Sequence, residues 1–242
     1  MENFELTQRG VLIGSCYIIS DTHLGYSDTI REMTSEEEFI EIKNQLESAF
    51  KQHTISEVVI NGDFFHTFGS PSDETQKLVR QVFRVIKRNN ASITIVTGNH
   101  DTTVEEYVSN QPVLECNVVP EYSKEQNNIY FIATHGHKKW QSSYGEYDLV
   151  ILGHLHPVIN INGKKWPTYL HGSFSEYNIL ILPAFSSYQD GVVISDTVQT
   201  NIDFPFVRPQ EFRKFKPLVY DETENTIKEF PRLSQSAEYF GL

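Results

Sequence analysis

At 242 residues, with 39% hydrophobic and 21% charged residues, the chain suffices for one large or two small globular domains and needs no disulfide staples. Its 20 Lys+Arg against 32 Asp+Glu give a formal charge of −12, which excludes a general polyanion footprint, although bound divalent cations reverse the sign locally. Cys16 and Cys116 sit in or beside apolar stretches and read as buried reduced thiols. The longest early apolar run, residues 11–19, is too short to span a membrane, and Glu2 and Glu5 ahead of it carry the wrong charge for a secretory signal. The expected location is the cytoplasm, with no membrane partner.

In chain order, the run at 11–20 predicts a first buried strand. A helix follows Thr34, with Glu37 three residues on as a capping box and Phe39, Ile42, Leu46 and Phe50 as its core stripe. Residues 58–60 predict the second strand. A second helix is expected to open at Ser70-Pro71, burying Leu78, Val79, Val82, Phe83 and Ile86. Strands follow at 93–97, 129–133 and 149–152, with a short helix after Asp101. Strand–helix–strand alternation argues an α/β fold with a largely parallel sheet. Later runs at 168–170, 179–182 and 191–194 have no helices between them and predict a second sheet packed on the first. The expected architecture is therefore two packed mixed β-sheets flanked by helices, in one domain over residues 1–205. From about Phe206, Pro209, Pro217 and Pro231 punctuate a polar segment, so 206–242 is expected to be a tail that wraps the domain or is partly flexible.

Each of the first five strands ends in a polar cluster: Ser20-Asp21-Thr22-His23, Asn61-Gly62-Asp63-Phe64-Phe65-His66, Thr97-Gly98-Asn99-His100-Asp101, Thr134-His135-Gly136-His137 and Gly153-His154-Leu155-His156. These hold seven of the nine histidines, more than packing explains; His53 and His171 are left to structural roles. Groups beyond the carboxyl ends of parallel strands converge on one crevice, so all five clusters are expected along one sheet edge. Asp, Asn and imidazole donors without cysteine suit Mn2+, Fe, Zn2+ or Ni2+, with Mn2+ preferred. The candidates exceed what one tetrahedral ion takes, whereas two divalent ions about 3.5–4 Å apart and sharing a carboxylate use them all.

The series resembles the calcineurin-like metallophosphoesterase family, which carries D-x-H, G-D, G-N-H-D/E, a lone His and G-H-x-H in that order. Here these are Asp21/His23, Gly62-Asp63, Gly98-Asn99-His100-Asp101, His135 and Gly153-His154-Leu155-His156. The resemblance implies that Asp21, His23, Asp63 and His156 hold one metal and that Asp63, Asn99, His135 and His154 hold the other. It also implies that His100 faces the leaving group or the phosphate as an acid, with Asp101 orienting its ring. Gly62-Asp63-Phe64-Phe65-His66 is similar to the form found in SbcD-type repair nucleases, which gives His66 a catalytic claim. Leu182-Pro183-Ala184-Phe185 followed by Gly191 is similar to the short archaeal phosphoesterases related to them. The likeness covers roughly the first 200 residues, and the chain is too short for the separate DNA-capping domain of the full nucleases.

Each motif alone has a bland reading as a turn, a cap or a solvated histidine; all five in order do not. His137 is as readily an ordinary loop histidine as a group that contacts substrate alongside Asn99. The function expected is a two-metal phosphoesterase hydrolysing phosphodiester bonds, with a nuclease related to the SbcD-type repair exonucleases as one form of it. The alternatives are a small-nucleotide phosphodiesterase or phosphomonoesterase, and a non-catalytic scaffold, which the intact motifs disfavour. The oligomeric state is not written in the chain.

Overall fold

The structure, a computed structural model, describes residues 3–139, 146–194 and 204–235. The apolar run at 11–20 is not one strand but a hairpin. After β1 (Glu5–Leu6), β2 (Gly10–Ile13) turns at Gly14, whose φ of 59° is open to glycine, into β3 (Cys16–Ile19). The capping box of α1 (Ser35–Gln52) forms: the Thr34 hydroxyl accepts from the Glu37 amide at 3.2 Å, and the Glu37 carboxylate accepts from the Thr34 amide at 2.8 Å. The chain continues through β4 (Glu57–Asn61), α2 (Asp73–Arg88), β5 (Ser92–Val96), α3 (Val104–Ser109) and β6 (Asn117–Val119). α2 opens two residues later than expected, because the hydroxyl that reaches the Thr75 amide is that of Ser72, not Ser70.

Then come β7 (Tyr122–Gln126), β8 (Ile129–Thr134), β9 (Leu149–Leu152), β10 (Pro157–Ile161), β11 (Lys164–Pro167), β12 (Tyr169–Phe174), β13 (Tyr177–Ile181), β14 (Val192–Val193), β15 (Lys216–Asp221) and β16 (Thr226–Glu229). Among the described residues these strands make a six-stranded sheet in order β1-β2-β3-β4-β5-β6 and a seven-stranded sheet in order β16-β15-β12-β13-β9-β8-β7. A small β11-β10-β14 sheet accompanies them. The pairs β3–β4, β4–β5, β8–β9 and β9–β13 are parallel.

Period-two alternation sets the layers. Ile18, Val59 and Val96 face inward against Phe131, Ile151 and Leu180 of the second sheet. Ile19, Ile60 and Ile95 face outward and are covered by Ile42 and Leu46 of α1 and by Leu78, Val82 and Ile86 of α2. The outer face of the second sheet, including Val150 and Ile179, is covered by Phe206, Val207, Phe212 and Phe215. Over its described part the segment from 206 packs against the body of the molecule. Its aromatics close a core, and β15 pairs with β12 from Tyr169↔Leu218 to His171↔Lys216. The end of the expected tail, residues 236–242, lies outside the described residues.

The expectation of one sheet edge is also corrected. β3, β4 and β5 belong to the first sheet and β8 and β9 to the second, so the five clusters meet across the gap between two sheets. Cys16 is buried, Cys116 is half-buried, and both are free thiols. Among the described residues no helix is long and apolar enough to cross a membrane.

Candidate metal centre

Beyond the strand ends the loops continue the parallel pairing. The Asp21 amide donates to Gly62 O at 3.0 Å and the His23 amide to Asp63 O at 2.9 Å; across the second sheet, Gly153 N–H reaches His135 O at 3.0 Å. The backbone then bends sharply. Asp21, His23, Asp63, His154 and His156 all adopt left-handed φ, between 45° and 68°. Non-glycine residues there cost on the order of 1–3 kcal/mol each and persist where the surroundings over-determine them. Motif glycines make room: a Cβ at Gly62, itself at φ 83°, would run into the His135 ring, and one at Gly153 into the Ser20 hydroxyl and the Asp21 carboxylate.

The side chains converge in groups. Asp21, His23 and His156 form one, with His156 Nε2 3.0 Å from Asp21 Oδ1 and the Nε2 atoms of His23 and His156 3.3 Å apart. Asp63, His135 and His154 form another, with His135 Nε2 3.2 Å from both Asp63 Oδ1 and Asn99 Oδ1. Asp63 also belongs to a third group with His23 and His100, its Oδ2 lying 3.8 Å and 3.9 Å from their Nε2 atoms.

Charge and burial compete here. Burial raises the Asp21 carboxyl, but His156 and His135 outweigh it and hold the group well below the usual carboxylate range. Burial pulls His135 down, and Asp21 and Asp63 more than reverse this, pushing it up to about 9. Burial wins at His23, lowered to about 3, and leaves a neutral imidazole whose Nδ1 has no hydrogen-bond partner among the described residues. His135 Nδ1 lies 3.0 Å from the Asn61 carbonyl; donating to it leaves Nε2 as the nitrogen that a cation would take in exchange for its proton. Buried carboxylates and imidazoles, with an amide oxygen and no thiol in any of these groups, fit divalent cations of borderline hardness.

The remaining expected residues are placed as follows. His100 lies at the mouth, its side chain 22% exposed, with Nδ1 2.6 Å from the His66 carbonyl. Asp101 does not orient that ring. Its Oδ1 accepts from the amides of Phe64 and Phe65 at 2.9 and 3.1 Å, and its Oδ2 from that of Gly98 at 2.8 Å, so it ties two motif loops together. The His66 ring sits edge-on to Tyr26 and His23, and His137 lies 5.3 Å from the His135 ring, on the side of His154. His53 ends α1 beside Glu5, and His171 packs edge-on to Phe4, away from the centre.

Two supporting residues escaped sequence reasoning. Asn61 is fully buried, and its amide donates to Thr134 O at 3.1 Å and Ile151 O at 3.3 Å, bridging the two sheets beneath the site. Glu38 is fully buried and accepts the amides of Gly25, Tyr26 and Ser27, which fixes the loop after His23. The signal for Glu38 was a carboxylate four residues before Ile42 on an apolar stripe.

A sequence profile described as calcineurin-like phosphoesterase matches residues 15–180, a span that contains every clustered Asp, Asn and His above. The chain belongs to the calcineurin-like phosphoesterase family. It is a metal-dependent hydrolase of phosphate esters, and its buried His/Asp groups are of the kind that hold divalent metals. Among solved structures it is similar to the nuclease MPE of Pseudomonas putida, with a TM-score of 0.61 and 19% identity over 89% of this chain and 91% of that one. An archaeal phosphodiesterase matches with a TM-score of 0.43 and 19% identity, over 89% of this chain and 98% of that one. At such identity the first likeness is one of fold. As a family member the chain carries strands β14 to β16 beyond the matched span.

Proposed function

We propose that this phosphoesterase cleaves phosphodiesters of nucleic acid with two divalent ions, Mn2+ serving best. The observation that carries the reading is Asp63, whose Oδ1 faces His135 and whose Oδ2 faces His23. A carboxylate placed between two donor groups is one that would serve two cations. Asp21, His23, Asp63 and His156 would hold one ion, and Asp63, Asn99, His135 and His154 the other. The pair, when bound, supplies Lewis-acid activation of water and neutralises charge on the phosphate.

The side chains supply the rest. His100 donates from Nδ1 to the His66 carbonyl, which fixes the ring and leaves Nε2 to hold a proton near Asp63 and deliver it to the leaving oxygen. Asp101 keeps the Gly98 and Phe64 loops in register, so its part is positioning. His66 backs His100, and His137 and Asn99 contact the phosphate.

Steady-state rates with Mn2+ on bis-p-nitrophenyl phosphate, p-nitrophenyl phosphate and single-stranded DNA test the proposal. The solved structure of similar fold is a nuclease, which makes a nucleic-acid polymer the natural first substrate to try. Diester and DNA cleavage is the expected result; turnover of the monoester alone would overturn it. The charge of −12 favours a second reading, a small nucleotide diester, which diester cleavage with DNA left intact would select.

A further inference from the structure

Phe68 is 65% exposed, yet its ring stacks on that of His100, with centroids 4.3 Å apart and planes 22° from parallel. Single exposed apolar residues are common on protein surfaces and mean nothing by themselves. The position of this one is informative. Among the described residues the other large exposed hydrophobics are Ile40, Val113, Tyr130 and Val192, none of which stacks on a ring of the metal centre.

The loop that carries Phe68 is also held. The His66 amide donates to Leu24 O at 3.0 Å, His100 Nδ1 lies 2.6 Å from the His66 carbonyl, and the Thr103 hydroxyl donates to Gly69 O at 2.7 Å. Anchors on both sides of residue 68 fix an open aromatic face beside the group proposed to protonate the leaving oxygen. In a nucleic-acid strand that oxygen carries a nucleoside, whose base then lies within reach of the ring.

We infer that Phe68 is a specificity-determining residue that stacks the nucleobase of the leaving nucleotide. The inference rests on the phosphodiesterase reading above and names its substrate class: strands or dinucleotides whose leaving side bears an unpaired base. Any base offers a π-face, so the contact selects for the presence of a base and not for its identity.

The test compares a dinucleotide with an analogue whose leaving nucleotide is abasic, using the Mn2+-loaded full chain. Wild type should have a KM for the base-bearing substrate roughly tenfold lower, within the worth of one base–aromatic stack. Phe68→Ala should erase that difference in KM between the two substrates, and Phe68→Trp should restore it. Against the background of Trp140 and Trp166, measured in wild type, the added fluorescence of Phe68→Trp should be quenched by the base-bearing dinucleotide and not by the abasic one, a readout independent of turnover. Equal KM values in wild type, or a Phe68→Ala loss falling on kcat for both substrates, would overturn the inference while the phosphodiesterase reading stands. Cleavage of neither dinucleotide with bis-p-nitrophenyl phosphate still turned over would overturn the nucleic-acid substrate and the inference together. Failure on every diester would remove the reading itself.

Discussion

The His100 ring is fixed by a backbone carbonyl, so the proposed proton donor is held without a carboxylate of its own. His100→Ala should keep metal content and melting temperature near wild type while turnover drops roughly 10²–10⁴-fold, the usual worth of a positioned acid. The deficit should shrink for p-nitrophenolate, which departs without a proton; a uniform loss on poor and good leaving groups would show that His100 only shapes the turn. Asp63 makes the complementary case. Asp63→Asn should lose more bound metal after dialysis than Asp21→Asn, since it weakens both sites and leaves two cations with less charge between them. Equal stoichiometry would remove Asp63 as the shared ligand. These residues were legible in the sequence because each follows an apolar run that forms a strand, and the run marks the strand end where they cluster. Asp101 was misread and Asn61 unassigned for one reason: their partners are main-chain groups of segments far away in sequence, which no local pattern exposes.

At the scale of elements, α1 combines a feature that local sequence reveals with one that it hides. Its capping box was read from Thr34 and Glu37 alone, and Thr34→Ala should cost about 1 kcal/mol, a fall of ~2–4 °C in melting temperature, with activity unchanged. Glu38, one residue on, was passed over, although it is the buried acceptor for three amides of the loop after His23. Glu38→Ala leaves those amides without their acceptor and should cost more than the cap, since bonds to a charged group are worth about 1.5–3 kcal/mol apiece. Denaturant unfolding of the two variants checks the order, and an equal loss would show that water replaces the carboxylate freely. The β2–β3 hairpin was hidden because both strands are apolar, so the run reads as continuous and only Gly14-Ser15 marks the turn.

For the molecule as a whole, metal limits function more than folding does. Excess chelator should abolish hydrolysis, and Mn2+ should restore it better than Mg2+, which prefers all-oxygen octahedral sites. Mn2+ at 100 times its dissociation constant should also stabilise the fold by about 2.7 kcal/mol per site, visible as a rise in melting temperature. Full activity in chelator would end the two-metal reading. The two-sheet plan was legible from the loss of intervening helices after residue 152. The assignment of β8 and β9 to the second sheet was not, since strand composition is the same on either side of a shared core. Nor was the depth to which residues 206–235 enter the core: a wrapping or partly flexible segment was expected, and Phe206, Phe212 and Phe215 fill a buried face.

The split of the centre between two sheets follows the chain: β1 to β6 build one and β7 to β9 begin the other. A break in the connection between them, after Pro120, would leave Asp21, His23, Asp63 and Asn99 on one fragment and His135, His154 and His156 on the other. Neither piece could complete either proposed ligand set, and each would bare the inner face of its sheet. Such fragments should be silent apart and recover hydrolysis when refolded together with Mn2+. The enzyme would then work as a two-part lock whose turnover counts how often its halves have met.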